Sequence, residues 1–246
     1  MNLEELRKKR PLVHHITNEV VMNFSANGLL AFGGSPVMAK EKEEVEEIAR
    51  VAGALVLNIG TIRKEDIETM IKAGQAANKT GVPVLLDPVG AGATTFRKQA
   101  VQRIVKEVDV SVVKGNAGEI AALADIPLKV KGVDADEDGD AVEIAAEAAK
   151  RMQTMVVVTG KTDVVSDGED FTTSSRGTPL LGSITGAGCL LGSIMAACMA
   201  IEKDKKGAAL FALEFYNKAA ERAETKAEGP GTFVPHLLDE LAKAYD

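Results

Sequence analysis

Five short runs of aliphatic, mostly β-branched residues punctuate the chain: Leu12 to Ile16, Ala54 to Ile59, Val82 to Leu86, Val110 to Val113 and Met155 to Val158. Runs of this kind are expected to form strands buried on both faces. Amphipathic stretches of helical length lie between most of them. Val45, Ile48 and Ala52 recur at helical spacing, as do Ile67, Met70, Ile71 and Gly74, and then Val101, Ile104, Val105 and Val108. Strands that alternate with helices build crossover units, which require a parallel sheet covered by helices on both faces. The expected fold is therefore one α/β domain over residues 1–246, with three layers.

The pattern changes after Gly160. Asp163 to Ser175 reads as short strands around the turn Asp167-Gly168. Beyond it, Leu190 to Ile201 forms an almost wholly apolar and hence buried helix, followed by helices over Ala208 to Ala227 and Pro235 to Ala244. The acidic stretch Asp134 to Asp140 reads as a solvated loop ahead of a helix from Val142 to Met152. Neither an internal repeat nor a low-complexity linker is present.

Composition narrows the function. With 29 Lys and Arg against 36 Asp and Glu the net charge is -7, so no basic face is expected for nucleic acid. There is no Trp, and the aromatic residues are seven Phe and two Tyr, which speaks against a base-stacking platform. No apolar run approaches the ~18 residues of a membrane span. The charged start Met1 to Arg10 has no apolar signal core, and Cys189 and Cys198 match neither a paired-thiol motif nor a zinc knuckle. A cytoplasmic location is the expectation.

In a parallel α/β sheet ligands lie beyond the carboxyl ends of the strands, and the unusual polar and Gly residues fall in those loops. Thr185-Gly186-Ala187-Gly188-Cys189 opens the apolar helix. Glycines and free amides at a helix start suit an anion such as a transferring phosphoryl group; a tightly packed glycine cap is the plainer alternative. The segment has neither the dinucleotide fingerprint nor the P-loop spacing. Cys189, in that first turn, would have its thiolate favoured by the dipole and could orient or deprotonate an alcohol, or it could be a small buried residue. Cys198 belongs to the core. Asp87, ahead of Pro88-Val89-Gly90-Ala91-Gly92, could bind a magnesium shell or orient a hydroxyl, or be a turn-forming or capping residue. In Lys114-Gly115-Asn116-Ala117-Gly118-Glu119, Asn116 and Glu119 have the spacing of a capping box, which competes with Glu119 as an outer magnesium ligand and Lys114 as a phosphate contact. His14 and His15 are adjacent in a strand and point to opposite faces, so they make a poor joint metal site. Met38, on these grounds alone, reads as core. None of His14, His15 and His236 is tied to a nucleophile elbow.

Together, in order, the segments Pro11-Leu12-Val13-His14-His15-Ile16-Thr17-Asn18, Asn23-Phe24-Ser25-Ala26-Asn27-Gly28-Leu29-Leu30, Ser35-Pro36-Val37-Met38, Asn58-Ile59-Gly60-Thr61, Asp87-Pro88-Val89-Gly90-Ala91-Gly92-Ala93, Lys114-Gly115-Asn116, Thr185-Gly186-Ala187-Gly188-Cys189 and Gly229-Pro230-Gly231-Thr232-Phe233 resemble the hydroxyethylthiazole kinases of thiamine salvage. That family lies within the ribokinase-like superfamily, and the resemblance runs from Pro11 to about Leu241. It implies ATP-dependent phosphorylation of the primary alcohol of 4-methyl-5-(2-hydroxyethyl)thiazole with magnesium, on a ribokinase-like three-layer fold.

By the same resemblance Met38 and Gly186 match substrate contacts, Lys114 and Thr159 match nucleotide contacts, and Asp87 and Glu119 match carboxylates that organise magnesium. Gly186, Ala187, Gly188 and Cys189 match the anion hole, and Cys189 stands where related kinases carry an aspartate base. Asn18 and Gly60 lie in matching motifs. Lys114 replaces an arginine, which keeps the charge but loses the bidentate fork, and Lys161 stands where an acidic residue is expected. The resemblance also implies a homotrimer with the thiazole site between subunits. Two other readings compete: a kinase of the same fold acting on a hydroxymethylpyrimidine, which would carry Asp at position 189, and a ligand-binding protein without catalysis.

Overall fold

The computed structural model describes residues 1–127 and 137–244. Its strands are β1 (Leu12–Ile16), β2 (Ser35–Val37), β3 (Ala54–Asn58), β4 (Val84–Asp87), β5 (Val112–Asn116), β6 (Met155–Thr159), β7 (Asp163–Ser166) and β8 (Phe171–Ser174). The helices are α1 (Leu3–Lys9), α2 (Met22–Phe32), α3 (Val45–Val51), α4 (Lys64–Lys79), α5 (Thr95–Glu107), α6 (Ala117–Leu123), α7 (Glu137–Met152), α8 (Ala187–Met199), α9 (Lys205–Glu224) and α10 (Pro230–Leu241). The strands form one sheet in the order β2-β1-β3-β4-β5-β6-β7-β8. All pairs from β2 to β6 are parallel, and β7 and β8 close the far edge as an antiparallel hairpin.

The α/β expectation is met, with a core on each face. Strand side chains alternate between faces, so Leu55 and Leu57 join Leu86 and Val113 in one apolar cluster with α4, α5 and α7. Ala54 and Val56 join Leu85, Val112 and Val157 in the other, with α2, α8, α9 and α10. Helix α8 is apolar nearly all round because it is a middle element: eleven of its thirteen residues are buried, between the sheet and α2 and α9. Gly28 of α2 permits that packing, since a Cβ there would lie 2.3 Å from Leu190 Cδ1.

Several boundaries differ from the sequence expectations. Strand β2 was not among the expected strands: it is a half-buried edge of three residues, one of them Pro36, with no aliphatic run to announce it. Strand β4 starts at Val84, not Val82, after Pro83, which has no N–H to donate although its carbonyl accepts from Leu55 N at 2.9 Å. Helix α10 starts at Pro230, not Pro235: Pro230 fits the first turn, where no N–H is needed, and Pro235 is carried inside. Of the acidic stretch expected as a loop, residues 134–136 lie outside the described residues, whereas the backbone from Glu137 onward is already helical. Among the described residues no helix is long and apolar enough to cross a membrane.

Candidate functional site

Period-two alternation places four polar side chains beneath the first half of α8. Val13, Val56, Leu85 and Val112 belong to the cluster on the α8 side, so two residues further along their strands His15, Asn58, Asp87 and Lys114 project to that same side. β1, β3, β4 and β5 are neighbours in the sheet, so these side chains form a polar row. All four are buried.

The row is tied together and to α8. Lys114 Nζ lies 3.3 Å from Asp87 Oδ2 and donates to the carbonyl of Gly188 at 3.1 Å. Asn58 Nδ2 donates to Asp87 Oδ2 at 3.0 Å and to Cys189 Sγ at 3.3 Å. Asn18 Nδ2 donates to Asn58 Oδ1 at 2.8 Å and reaches Cys189 Sγ at 3.6 Å. His15 Nε2 pairs with Ser193 Oγ at 3.0 Å one turn further along α8. The sequence segments holding Asn18, Asp87, Lys114 and Cys189 therefore converge on one place.

Charge follows from this burial. Burial pushes the Asp87 carboxyl above its ordinary range, against the pull of Lys114. Burial alone would lower Lys114, but the Asp87 carboxylate beside it holds the ammonium above its usual value. Burial and then the Asp87 charge push the Cys189 thiol up, with Lys114, Asn58 and Asn18 opposing. Desolvation thus opposes the thiolate that the dipole of α8 would favour.

At the start of α8, Gly186 is the N-cap residue, with φ of 92°. This left-handed backbone favours glycine, and a Cβ would in addition lie 2.8 Å from Val21 Cγ1. No side chain caps the helix, so its first amides remain available to an anion. A cavity of about 600 Å³ opens beside them, lined by Ala187 and Gly188, by Thr159 and Gly160 at the end of β6, and by Asp163 and Tyr216. Lys161 and Arg176 also line it. Asp163 shapes the loop after β6, accepting from Gly160 N at 3.1 Å and from Asn217 Nδ2 at 2.8 Å.

Glu119 stands at the start of α6 and forms the capping box expected from the spacing: its amide donates to Asn116 Oδ1, and its Oε2 accepts from Asn116 N, both at 2.9 Å. Its Oε1 accepts from Gly90 N at 2.9 Å, joining the Gly-rich loop after Asp87. Capping and a site role are thus compatible. Lys114 points inward, 3% exposed, and is absent from the cavity lining that includes Thr159. Met38 follows β2 and is half-buried. His14 faces the opposite side from His15, bonding the carbonyl of Ala39 at 2.8 Å, and Cys198 is buried in the core.

Sequence reasoning missed Asn58 as a hub and Asp163 and Asn217 as loop anchors. It also missed Arg97, whose guanidinium ties the carbonyls of Ile59, Gly60 and Val89 at 2.7 to 2.9 Å. Asn217 alone left a clear signal, a polar residue among the apolar positions of α9.

The hydroxyethylthiazole kinase family model matches residues 3–245. The chain belongs to the hydroxyethylthiazole kinase family. It is 53% identical to hydroxyethylthiazole kinase of Halalkalibacterium halodurans, over 100% of this chain and 95% of the relative. The solved structure of the hydroxyethylthiazole kinase protein from Pyrococcus horikoshii superposes with a TM-score of 0.91 at 42% identity, covering 99% of this chain and 92% of that one. A ribokinase-like superfamily protein of Enterococcus faecalis superposes with a TM-score of 0.70 at 10% identity, covering 98% of this chain and 94% of that one. That likeness places the three-layer sheet among ribokinase-like folds.

Proposed function

We propose that the polar row under α8 and the cavity beside it carry out the family's reaction, ATP-dependent phosphorylation of the primary alcohol of 4-methyl-5-(2-hydroxyethyl)thiazole. The observation that supports this most is the uncapped start of α8, which faces the cavity on one side and the Asp87–Lys114–Cys189 cluster on the other. A nucleotide in the cavity would end its phosphates at the amides of Gly186 to Cys189, with Thr159 at the wall. The alcohol would approach from the Cys189 side, with Met38 and Gly186 as its contacts.

The residues also fit magnesium. Both contacts of Asp87 are made through Oδ2, leaving Oδ1 without a partner among the described residues, and each Glu119 oxygen is engaged by a single amide. No group of three or more metal-binding side chains occurs among the described residues, so these carboxylates suit an ion held mostly by water and phosphate oxygens. Magnesium, when bound, would neutralise charge on the β- and γ-phosphates.

Transfer forms the bond from alcohol oxygen to γ-phosphorus and breaks the bridge to ADP, through a loose transition state in which alignment and charge stabilisation matter most. The Cys189 thiol then orients the hydroxyl, whose proton leaves late and passes to the transferred phosphoryl oxygens or to solvent. Lys114 sets the electrostatics through Asp87 and the α8 carbonyl of Gly188, and long-range attraction to phosphate adds to that. A homotrimer with the site at a subunit boundary accords with the exposed Val20 and Leu30 at α2; sedimentation showing an active monomer would remove that part.

The test is ADP release from MgATP with the thiazole alcohol, with a hydroxymethylpyrimidine, and with no alcohol. Turnover with the thiazole alone is expected. Turnover with the pyrimidine alone would overturn the acceptor, and binding of nucleotide without turnover would favour a non-catalytic protein.

A further inference from the structure

Asn58 uses its whole hydrogen-bonding capacity inside the site. Its two amide hydrogens go to Asp87 Oδ2 and Cys189 Sγ, and its carbonyl oxygen accepts from Gly60 N at 3.0 Å and Asn18 Nδ2 at 2.8 Å. It is 2% exposed, and β3–β4 register sets it directly opposite Asp87. A carboxamide is the side chain that can give one hydrogen to a carboxylate and the other to a sulfur while accepting two. Asp or Leu at this place could not donate to either, and Ser could donate only once.

The consequence lies in which atoms remain free. Asn58 and Lys114 both act on Asp87 Oδ2, so Oδ1 is left for other partners. Asn58 approaches the sulfur from the sheet side, beneath the first turn of α8, and Asn18 adds a second, longer contact. Cys189 is otherwise a short side chain whose sulfur makes no other hydrogen bond among the described residues. Helix sterics restrict its χ1, and these two amides are the polar contacts that hold the sulfur within that range. Misplacing a reacting group by about 1 Å can cost ~100-fold in rate.

We propose that Asn58 is a positioning residue for phosphoryl transfer, acting by holding Cys189 Sγ in the rotamer that meets the acceptor hydroxyl. The inference rests on the proposed role of Cys189 in that reaction. Because alignment matters in the transition state more than in the ground state, the loss should fall on kcat and spare KM.

Two measurements test it. In the first, kcat and KM for the alcohol are measured for Asn58→Ala, Cys189→Ala and the double variant. Asn58→Ala should lower kcat by ~10-fold or more with KM within about threefold, and the same change in the Cys189→Ala background should have at most about a threefold effect. Equal effects in both backgrounds, or an effect on KM alone, would overturn the proposal. The second needs no turnover: the Cys189 S–H stretching band is isolated as a Raman difference against Cys189→Ala. It should shift in Asn58→Ala, and an unshifted band would overturn the proposal whichever alcohol the enzyme takes. If Asn58→Ala does not fold, the near-isosteric Asn58→Leu, which removes both donors without placing a second carboxyl against Asp87, serves in each measurement. Failure of the parent enzyme to phosphorylate the thiazole, with the band still shifting, would count against the reaction and not against the positioning of the sulfur.

Discussion

The buried pair Asp87–Lys114 gives the sharpest stability prediction. At 3.3 Å and an effective dielectric of about 20, its attraction is about 5 kcal/mol, while each charge loses several kcal/mol of hydration on burial. These terms nearly cancel, so the pair adds little net stability, but either charge left alone is costly. Lys114→Met and Asp87→Asn should therefore each cost ~3–5 kcal/mol, whereas the double variant should cost less than either single change. The pH dependence has a definite sign. Once Lys114 is gone, burial raises Asp87 further, so the folded state binds a proton that the unfolded state releases. The cost of Lys114→Met is then full well above the raised value and shrinks as pH falls through it. Urea unfolding of the four proteins at one fixed concentration, at pH 8 and again at pH 5, measures all of this. Additive costs, or single variants that each lose under 1 kcal/mol, would refute the argument that these two charges answer each other.

Other outcomes follow from neighbouring residues. Burial lowers His15 from 6.5 to about 4, so it is neutral in the folded state and protonates more readily when unfolded. Its contribution is intact above pH 6.5 and is lost as pH falls toward 4, by about 3 kcal/mol; His15→Gln should flatten that part of the urea stability profile, and an unchanged slope would contradict it. Gly186→Ala should cost ~1–3 kcal/mol from its left-handed backbone and the contact with Val21, seen as a lower Tm together with weaker nucleotide binding by calorimetry; unchanged affinity would separate the helix start from the phosphate. Glu119→Gln keeps one carbonyl oxygen and turns an NH₂ toward an amide donor, so it should cost ~1 kcal/mol of stability while lowering turnover and raising the magnesium needed for half-maximal rate. Normal kinetics would reduce Glu119 to a cap. Cys189→Ala should lower kcat by no more than ~100-fold, since a group kept as a thiol gives less than the usual range of acid–base catalysis.

The parallel sheet was legible because its strands are buried on both faces, which writes uninterrupted aliphatic runs into the sequence. Where a strand is polar the signal ends early: β5 continues through Lys114 and Gly115 to Asn116, paired with β6 as far as Asn116 and Thr159, although the aliphatic run stops at Val113. Asp87, Glu119 and the Gly186 to Cys189 segment were found because they follow strands or open helices. Asn58 entered only within a matching segment and without a role, because an Asn at a strand end has the composition of a turn, and three of its four partners come from other parts of the chain. The inward orientation of Lys114 was within reach of alternation from Val112, but lysine composition alone suggests solvent or phosphate. The upward push on the Cys189 thiol comes from burial of the α8 start against the sheet and from Asp87 on another strand, a pairing that no sequence periodicity shows.

The most direct measurement is phosphorus NMR of the parent protein incubated with MgATP and the thiazole alcohol, run beside Asp87→Asn and Glu119→Gln. A phosphomonoester resonance coupled to the CH₂ of the alcohol, growing in step with ADP and strongly slowed in both folded variants, is the predicted result. No phosphomonoester from the parent, or equal rates in all three, would contradict transfer at the polar row beneath α8.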